Sequence, residues 1–174
     1  MNLYFRFFWV MLCNLFRKKF VPPLTEIRTD FRVLLNDLDL NQHMNNGRYL
    51  TIMDLGRFDY LGKTGLLKTC IKNRWFPILG ATQMVFLRPL KLFQKYTIYT
   101  SVECWDDKWF IIKQRFVSNE KVVAIGKIRG LLRGSQGNIR PSEVFKSSQT
   151  AEVDSPAPSS ATKLWLESMS ISNM

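Results

Sequence analysis

One histidine in 174 residues, His43, leaves little with which to hold a catalytic metal, because imidazole is the commonest ligand at such sites. Three cysteines (Cys13, Cys70 and Cys104) are an odd number with no CxxC among them. That argues against a disulfide framework or a zinc site and fits a reducing, cytoplasmic setting. No metal or other cofactor is called for. Acid is scarce where base is plentiful: residues 1–24 carry four Lys/Arg and no Asp or Glu, and residues 75–146 carry twelve against five. The formal net charge of +11 favours an anionic partner, whether the phosphates of a small ligand, a nucleic acid or a membrane surface. No helix-turn-helix or RNA-binding signature is present, which sets nucleic acid aside.

Long uninterrupted apolar runs are also missing. The opening MNLYFRFFWVMLCNLFRKKF is too short to span a bilayer, contains Arg6, and has no small-residue cleavage site. Two readings stay open for residues 1–20. One is an aromatic helix lying in a membrane interface with Arg17, Lys18 and Lys19 near anionic headgroups, a peripheral contact. The other is a helix packed on the domain or on a partner subunit. Val21-Pro22-Pro23 closes the segment, giving an N-terminal unit of residues 1–24.

The chain as a whole has globular composition, 46% hydrophobic and 22% charged. Ile27, Thr29, Phe31, Val33 and Leu35 alternate with charged residues, which predicts a half-buried strand. A helix is predicted over GRYLTIMDLGRFDYLGKTGL, with a polar stripe at Arg48, Thr51, Asp54 and Arg57 and a stop at Gly62 and Gly65. TQMVFLRPL, YTIYTSVECW, WFIIKQRFVS and VVAIGKIRGLL predict a four-strand antiparallel meander with tight turns at Asp106-Asp107-Lys108 and Asn119-Glu120-Lys121. The domain spans residues 25–146. Residues 147–174, rich in Ser, Ala, Thr and Pro, predict a flexible tail in which LWLESM could form a turn or two of helix. The class is α+β, one long helix against a sheet, and such a sheet leaves edges that dimerisation would cover.

Between the first strand and the helix lies NDLDLNQHMNNGRYL, a concentration of hydrogen-bonding side chains in apolar surroundings. Asn and Asp cap helices and make Asx-turns, so Asp37, Asp39, Asn45 and Asn46 have a purely structural reading. The chemical reading rests on position. The amides of Asn46 and Gly47 would open the helix, where donors and dipole suit a developing oxyanion, with a carboxylate and His43 nearby. That combination suits hydrolysis of an activated acyl group. Asp54 and Arg57, three apart, read as a surface salt bridge, and Tyr49 as core.

DLDLNQHMNNGRYL followed by MDLGRFDYLGKTG resembles the hotdog-fold thioesterases of the 4-hydroxybenzoyl-CoA thioesterase-like branch, over about residues 26–145. The nearest likeness is to the animal thioesterase-superfamily-member proteins and their bacterial relatives. The DLDxNQHxNN core also resembles plant acyl-ACP thioesterases. The resemblance implies a five-stranded antiparallel sheet wrapped around a central helix, in a homodimer or higher oligomer with active sites at the interface. It implies hydrolysis of an acyl-CoA or acyl-carrier-protein thioester, with Asp39 as base or nucleophile. Asn41 and His43 fall on positions with catalytic roles in the plant branch, and Asn46 and Gly47 on the oxyanion donors. Arg88, Lys108 and Arg115, with Lys91 and Lys113, are candidates for the CoA phosphates. The alternative is a hotdog module that binds acyl thioesters without hydrolysing them.

Overall fold

A computed structural model describes residues 2–15, 20–147 and 154–171. Arg17, Lys18 and Lys19 lie outside the described residues, as do 148–153 and 172–174. The chain runs α1 (Asn2–Leu15), β1 (Ile27–Arg32), a 3-10 turn (Leu35–Asp37), α2 (Asn46–Lys63), α3 (Leu66–Asn73), β2 (Phe76–Phe86), β3 (Lys95–Trp105), β4 (Phe110–Ser118), β5 (Lys121–Gly134), β6 (Gly137–Ile139), α4 (Pro141–Ser147) and α5 (Ser160–Ile171).

The sheet is antiparallel in the order β1-β3-β4-β5-β2, with the short β6 added beside β5. Thus β3, β4 and β5 form the expected meander, but β2 does not join it in sequence order. Pairing from Phe76↔Arg133 to Phe86↔Ala124 puts it at the far edge, while β1 takes the place beside β3. The β4–β5 turn has Asn119 and Glu120 both at positive φ (48° and 61°), the backbone of a two-residue hairpin whose twist matches its strands.

Alternation along β3 and β4 sends Tyr96, Ile98, Gln114 and Phe116 onto α2, which answers with Tyr49, Ile52, Met53 and Leu55. A second cluster under the later half of α2 joins Tyr60, Leu66, Val102 and Phe110 to Val144 and Phe145 of α4. Buried Gln114 ties the layers together, donating from Nε2 to the Met53 carbonyl (3.0 Å) and Thr100 Oγ1 (2.9 Å).

Three features bear on the expectations. First, the helix stop is Gly65 alone, at φ +79°. Gly62 is inside α2, where a Cβ would stand 2.4 Å from Asn14 Cγ, and its bareness lets α1 cross there. Second, α1 is packed, as one of the two open readings had it. Arg6 reaches Asp37, Phe7 meets Phe58 edge to face at 5.1 Å, and Asn14 donates to Asp59 (3.1 Å). Third, where composition predicted a flexible tail, α5 docks on the outer face of the sheet, setting Trp165 against Cys104 and Ile111. Glu103 holds it there by accepting from Ser159 Oγ and Thr162 Oγ1 (both 2.6 Å), and Lys127 donates to Thr162 (2.6 Å).

Candidate active site

The turn before α2 is closed by its own backbone. Asp39 N–H donates to the His43 carbonyl (2.9 Å), Gln42 N–H to the Asp39 carbonyl (3.0 Å), and Leu38 bridges to Met44. Gln42 takes φ +60°, the left-handed conformation that lets so few residues reverse the chain. Met44 N–H then donates to the Leu90 carbonyl (2.8 Å), and His43 bridges to Lys91, which fastens the turn to the β2–β3 connection.

Its two aspartates are held differently. Asp37 is buried and accepts from Arg6 (2.6 Å) and the Leu34 amide (2.9 Å), with Arg48 Nε at 3.3 Å. Two guanidiniums and an amide saturate it, so its work is structural. Asp39 is half-buried, and its Oδ1 accepts only the Asn41 amide (2.9 Å). Its Oδ2 and the His43 ring carry no hydrogen bond among the described residues. Asp39, Asn41 and His43 therefore share one turn, with an unengaged carboxylate oxygen in the segment that leads into α2.

Of the two expected oxyanion amides, Gly47 N–H is bonded to the capping side chain of Asn45 (2.8 Å). The Asn46 amide, at the first position of α2, has no acceptor among the described residues. It stands at the N-terminal end of the helix, where the dipole favours negative charge.

The basic candidates do not form one cluster. Arg88, which donates to the Val122 carbonyl (2.7 Å), and Lys91 lie at the His43 end of the sheet. Lys108 is in the β3–β4 turn at the opposite end, its amine 5.0 Å from the Trp109 ring centre. Arg115, near mid-strand, is paired with Glu26 (2.8 Å) and lies over Tyr99. Lys113 is on the same strand and half-buried.

A cavity of about 290 Å³ lies between the later half of α2 and the sheet. Phe58, Leu61, Ile78, Leu79, Val102 and Phe110 are among its walls, and Val144 and Phe145 of α4 are in its lining. Its polar wall is Asp54 and Arg57, hydrogen-bonded to each other, with Arg57 also donating to Gln114 Oε1 (3.1 Å). Burial lowers the Arg57 pKa, with Asp54 opposing the shift. The pair expected as a surface salt bridge thus edges an apolar cavity. Its only trace in the sequence is the polar stripe of four residues spaced three apart, and the parts played by Arg6 and Phe145 leave none.

The thioesterase-like superfamily model matches residues 33–161 of the chain. The chain belongs to that superfamily. Protein THEM6 of Danio rerio is 31% identical over 172 residues, covering 98% of this chain and 83% of that protein. Among solved structures, the Escherichia coli probable thioesterase YbaW superposes with a TM-score of 0.64 at 22% identity, covering 70% of this chain and 95% of its own. A gentisyl-coenzyme A thioesterase gives 0.62 at 23%, covering 68% and 98%. The fold is the hotdog fold, a curled antiparallel sheet around α2. Two further helices flank that unit, α1 packed on the α2 side and α5 on the outer face of the sheet.

Proposed function

We propose that the chain hydrolyses an acyl thioester, acyl-CoA or acyl-carrier protein, at the turn Asp39–His43. The observation that carries this is the contrast within the turn: Asp37 is saturated, while Asp39 keeps an oxygen unengaged a few residues before the open Asn46 amide. Asp39 takes a proton from water as the water oxygen bonds to the acyl carbon, or attacks that carbon itself to give a mixed anhydride that a water molecule then hydrolyses, supplying the thiol's proton and freeing the acid and Asp39. Negative charge gathers on the carbonyl oxygen, where the Asn46 amide meets it. Collapse breaks the C–S bond, and the thiolate leaves with a proton. Asn41 and His43 orient the water or the carbonyl. Superfamily membership supports thioester hydrolysis in general, and the gentisyl-coenzyme A thioesterase among the fold's neighbours supports CoA as the carrier.

The cavity suits the acyl group, with room for roughly ten non-hydrogen atoms at ~30 Å³ each. It begins at Asp54, eight residues into α2, so about 12 Å of helix separates it from the Asn46 amide of the same protomer. A homodimer joined along β2, whose Ile78 and Leu79 line the cavity, would let a second copy supply the turn. Arg88 and Lys91 are the cations best placed for phosphates beside His43.

Asp39→Asn tests the reading, since it keeps the shape and the acceptor for Asn41 while removing the base. Turnover of an acyl-CoA panel, read as thiol release, should fall at least about a hundredfold with the melting temperature unchanged. His43→Ala should slow turnover less. Full activity in well-folded Asp39→Asn would return the turn to a structural role. Acyl-CoA binding without turnover by the unaltered chain would favour the non-catalytic module.

A further inference from the structure

Helix α1 has two unlike faces. Leu3, Arg6, Phe7, Val10 and Asn14 point into the protein, through Asp37, Phe58 and Asp59. Tyr4, Phe5, Phe8, Trp9 and Leu12 point away from it, each between 47% and 71% exposed. Five large apolar side chains in one helical stripe form a contiguous patch of a kind that marks an interaction site. The helix is held by a buried ion pair and an aromatic contact, so the patch is presented ready-made.

Charge identifies the occupant. Arg6 is the only charged residue of Asn2–Leu15, and it faces inward. The sequence then supplies Arg17, Lys18 and Lys19 with no acid before Glu26. Beyond them Phe20 sits on Gly65, with the Lys68 amine 4.9 Å from its ring centre. In the sequence those three cations stand between the end of α1 and Phe20. An aromatic stripe rich in Trp, Tyr and Phe followed by base alone suits a bilayer surface with anionic headgroups. A second copy on the same face would bring no acidic residue within 1–25 to answer those cations.

We propose that the outward face of α1 docks the protein on anionic lipid bilayers. The same helix holds Asp37, two residues from Asp39, so docking brings the candidate turn to within about one helix diameter, ~10 Å, of the bilayer. Resting on the thioesterase reading, this makes the substrate an acyl thioester whose chain is partitioned into lipid.

Flotation of the full chain with phosphatidylcholine–phosphatidylserine vesicles, against pure phosphatidylcholine vesicles, tests the docking itself. Binding should be at least about tenfold tighter to the anionic vesicles. It should be lost in the triple variant Phe5→Ser, Phe8→Ser, Trp9→Ser, whose positions are already exposed and whose melting temperature should hold. Cys13, exposed and one turn beyond Trp9, gives a footprint: its thiol labelling should slow when anionic vesicles are added. Equal flotation of wild type and triple variant, no preference for anionic vesicles, or unchanged Cys13 labelling would overturn the proposal. So would a fall in oligomer mass in the triple variant with flotation intact, which would make the face a contact between copies. Flotation needs no turnover, so a chain that floats but in which Asp39→Asn stays fully active loses the thioesterase reading and keeps the docking surface.

Discussion

Asp37 and Asp39 stand two residues apart, yet one is closed in by two guanidiniums and the other keeps an oxygen open. Replacing Asp37 with Asn leaves Arg6 and Arg48 without their counter-charge in a place with little water. The expected loss is about 3 kcal/mol, the lower end for breaking a buried pair, because Arg48 is partly solvated. For a chain of this size that is a drop of about 8 °C in melting temperature. Turnover per folded molecule should change little. The pair of variants should therefore separate cleanly, Asp37→Asn in the melting curve and Asp39→Asn in the rate; an unchanged melt for Asp37→Asn would mean that its ion pairs contribute nothing. Local sequence could not divide the two roles, since both are Asx residues in a turn before a helix. What divides them is Arg6, 31 residues upstream, a contact that no local pattern encodes. The Asn45 cap that occupies Gly47 N–H was closer to legible, because Asn before a helix is the usual cap.

Elements were readable where their period was strong. Alternation marked β1, β-branched and aromatic content marked β3, and Asn119-Glu120-Lys121 marked the turn between β4 and β5. The place of β2 was not readable, because any of these strands could pair with any other and only the crossing over α2 sends it to the far edge. The eight residues of α3 were hidden behind the helix stop at Gly65. Composition concealed α5, whose anchor is a polar cluster supplied by β3 and β5. Burial alone would raise the Glu103 carboxyl, but hydrogen bonds from Ser159 and Thr162, with Lys127 nearby, bring it below its ordinary 4.5. The folded state thus binds this proton less readily than the unfolded one. The stabilisation is whole above the ordinary value and is lost as pH falls through the lowered one. Amide exchange in 160–171 should accordingly quicken on acidification below that value while β3 and β4 stay protected. Glu103→Gln should show the faster exchange already at neutral pH. Exchange in α5 that tracks the core at every pH would refute this anchor.

At the scale of the molecule, β2 is an edge strand whose second half is unguarded among the described residues. Its eleven residues carry no charge, and Phe76, Leu79, Val85 and Phe86 are each 43% to 68% exposed. Natural edges are blunted by lysine, proline or bulges; here Pro77 and the irregularity at Leu79/Ala81 affect only the first half. The second half, Thr82 to Phe86, keeps regular pairing with β5 and has no strand on its other side among the described residues. Antiparallel addition of a second β2 is self-complementary, as a two-fold axis requires, and would continue the sheet through both protomers. Light scattering should therefore give a dimer at micromolar concentration. Val85→Lys places a cation on the open edge without touching the protomer's core, and should shift the mass to that of a monomer. Gln83→Lys, at an exposed polar position, is the milder companion should the first variant fold poorly. If each cavity is served by the turn of the other copy, turnover must fall in step with the dimer fraction as either variant is diluted. A monomer that retains full turnover would place the whole reaction within one chain, and the roughly 12 Å between Asn46 and Asp54 would then have to be bridged by the substrate itself.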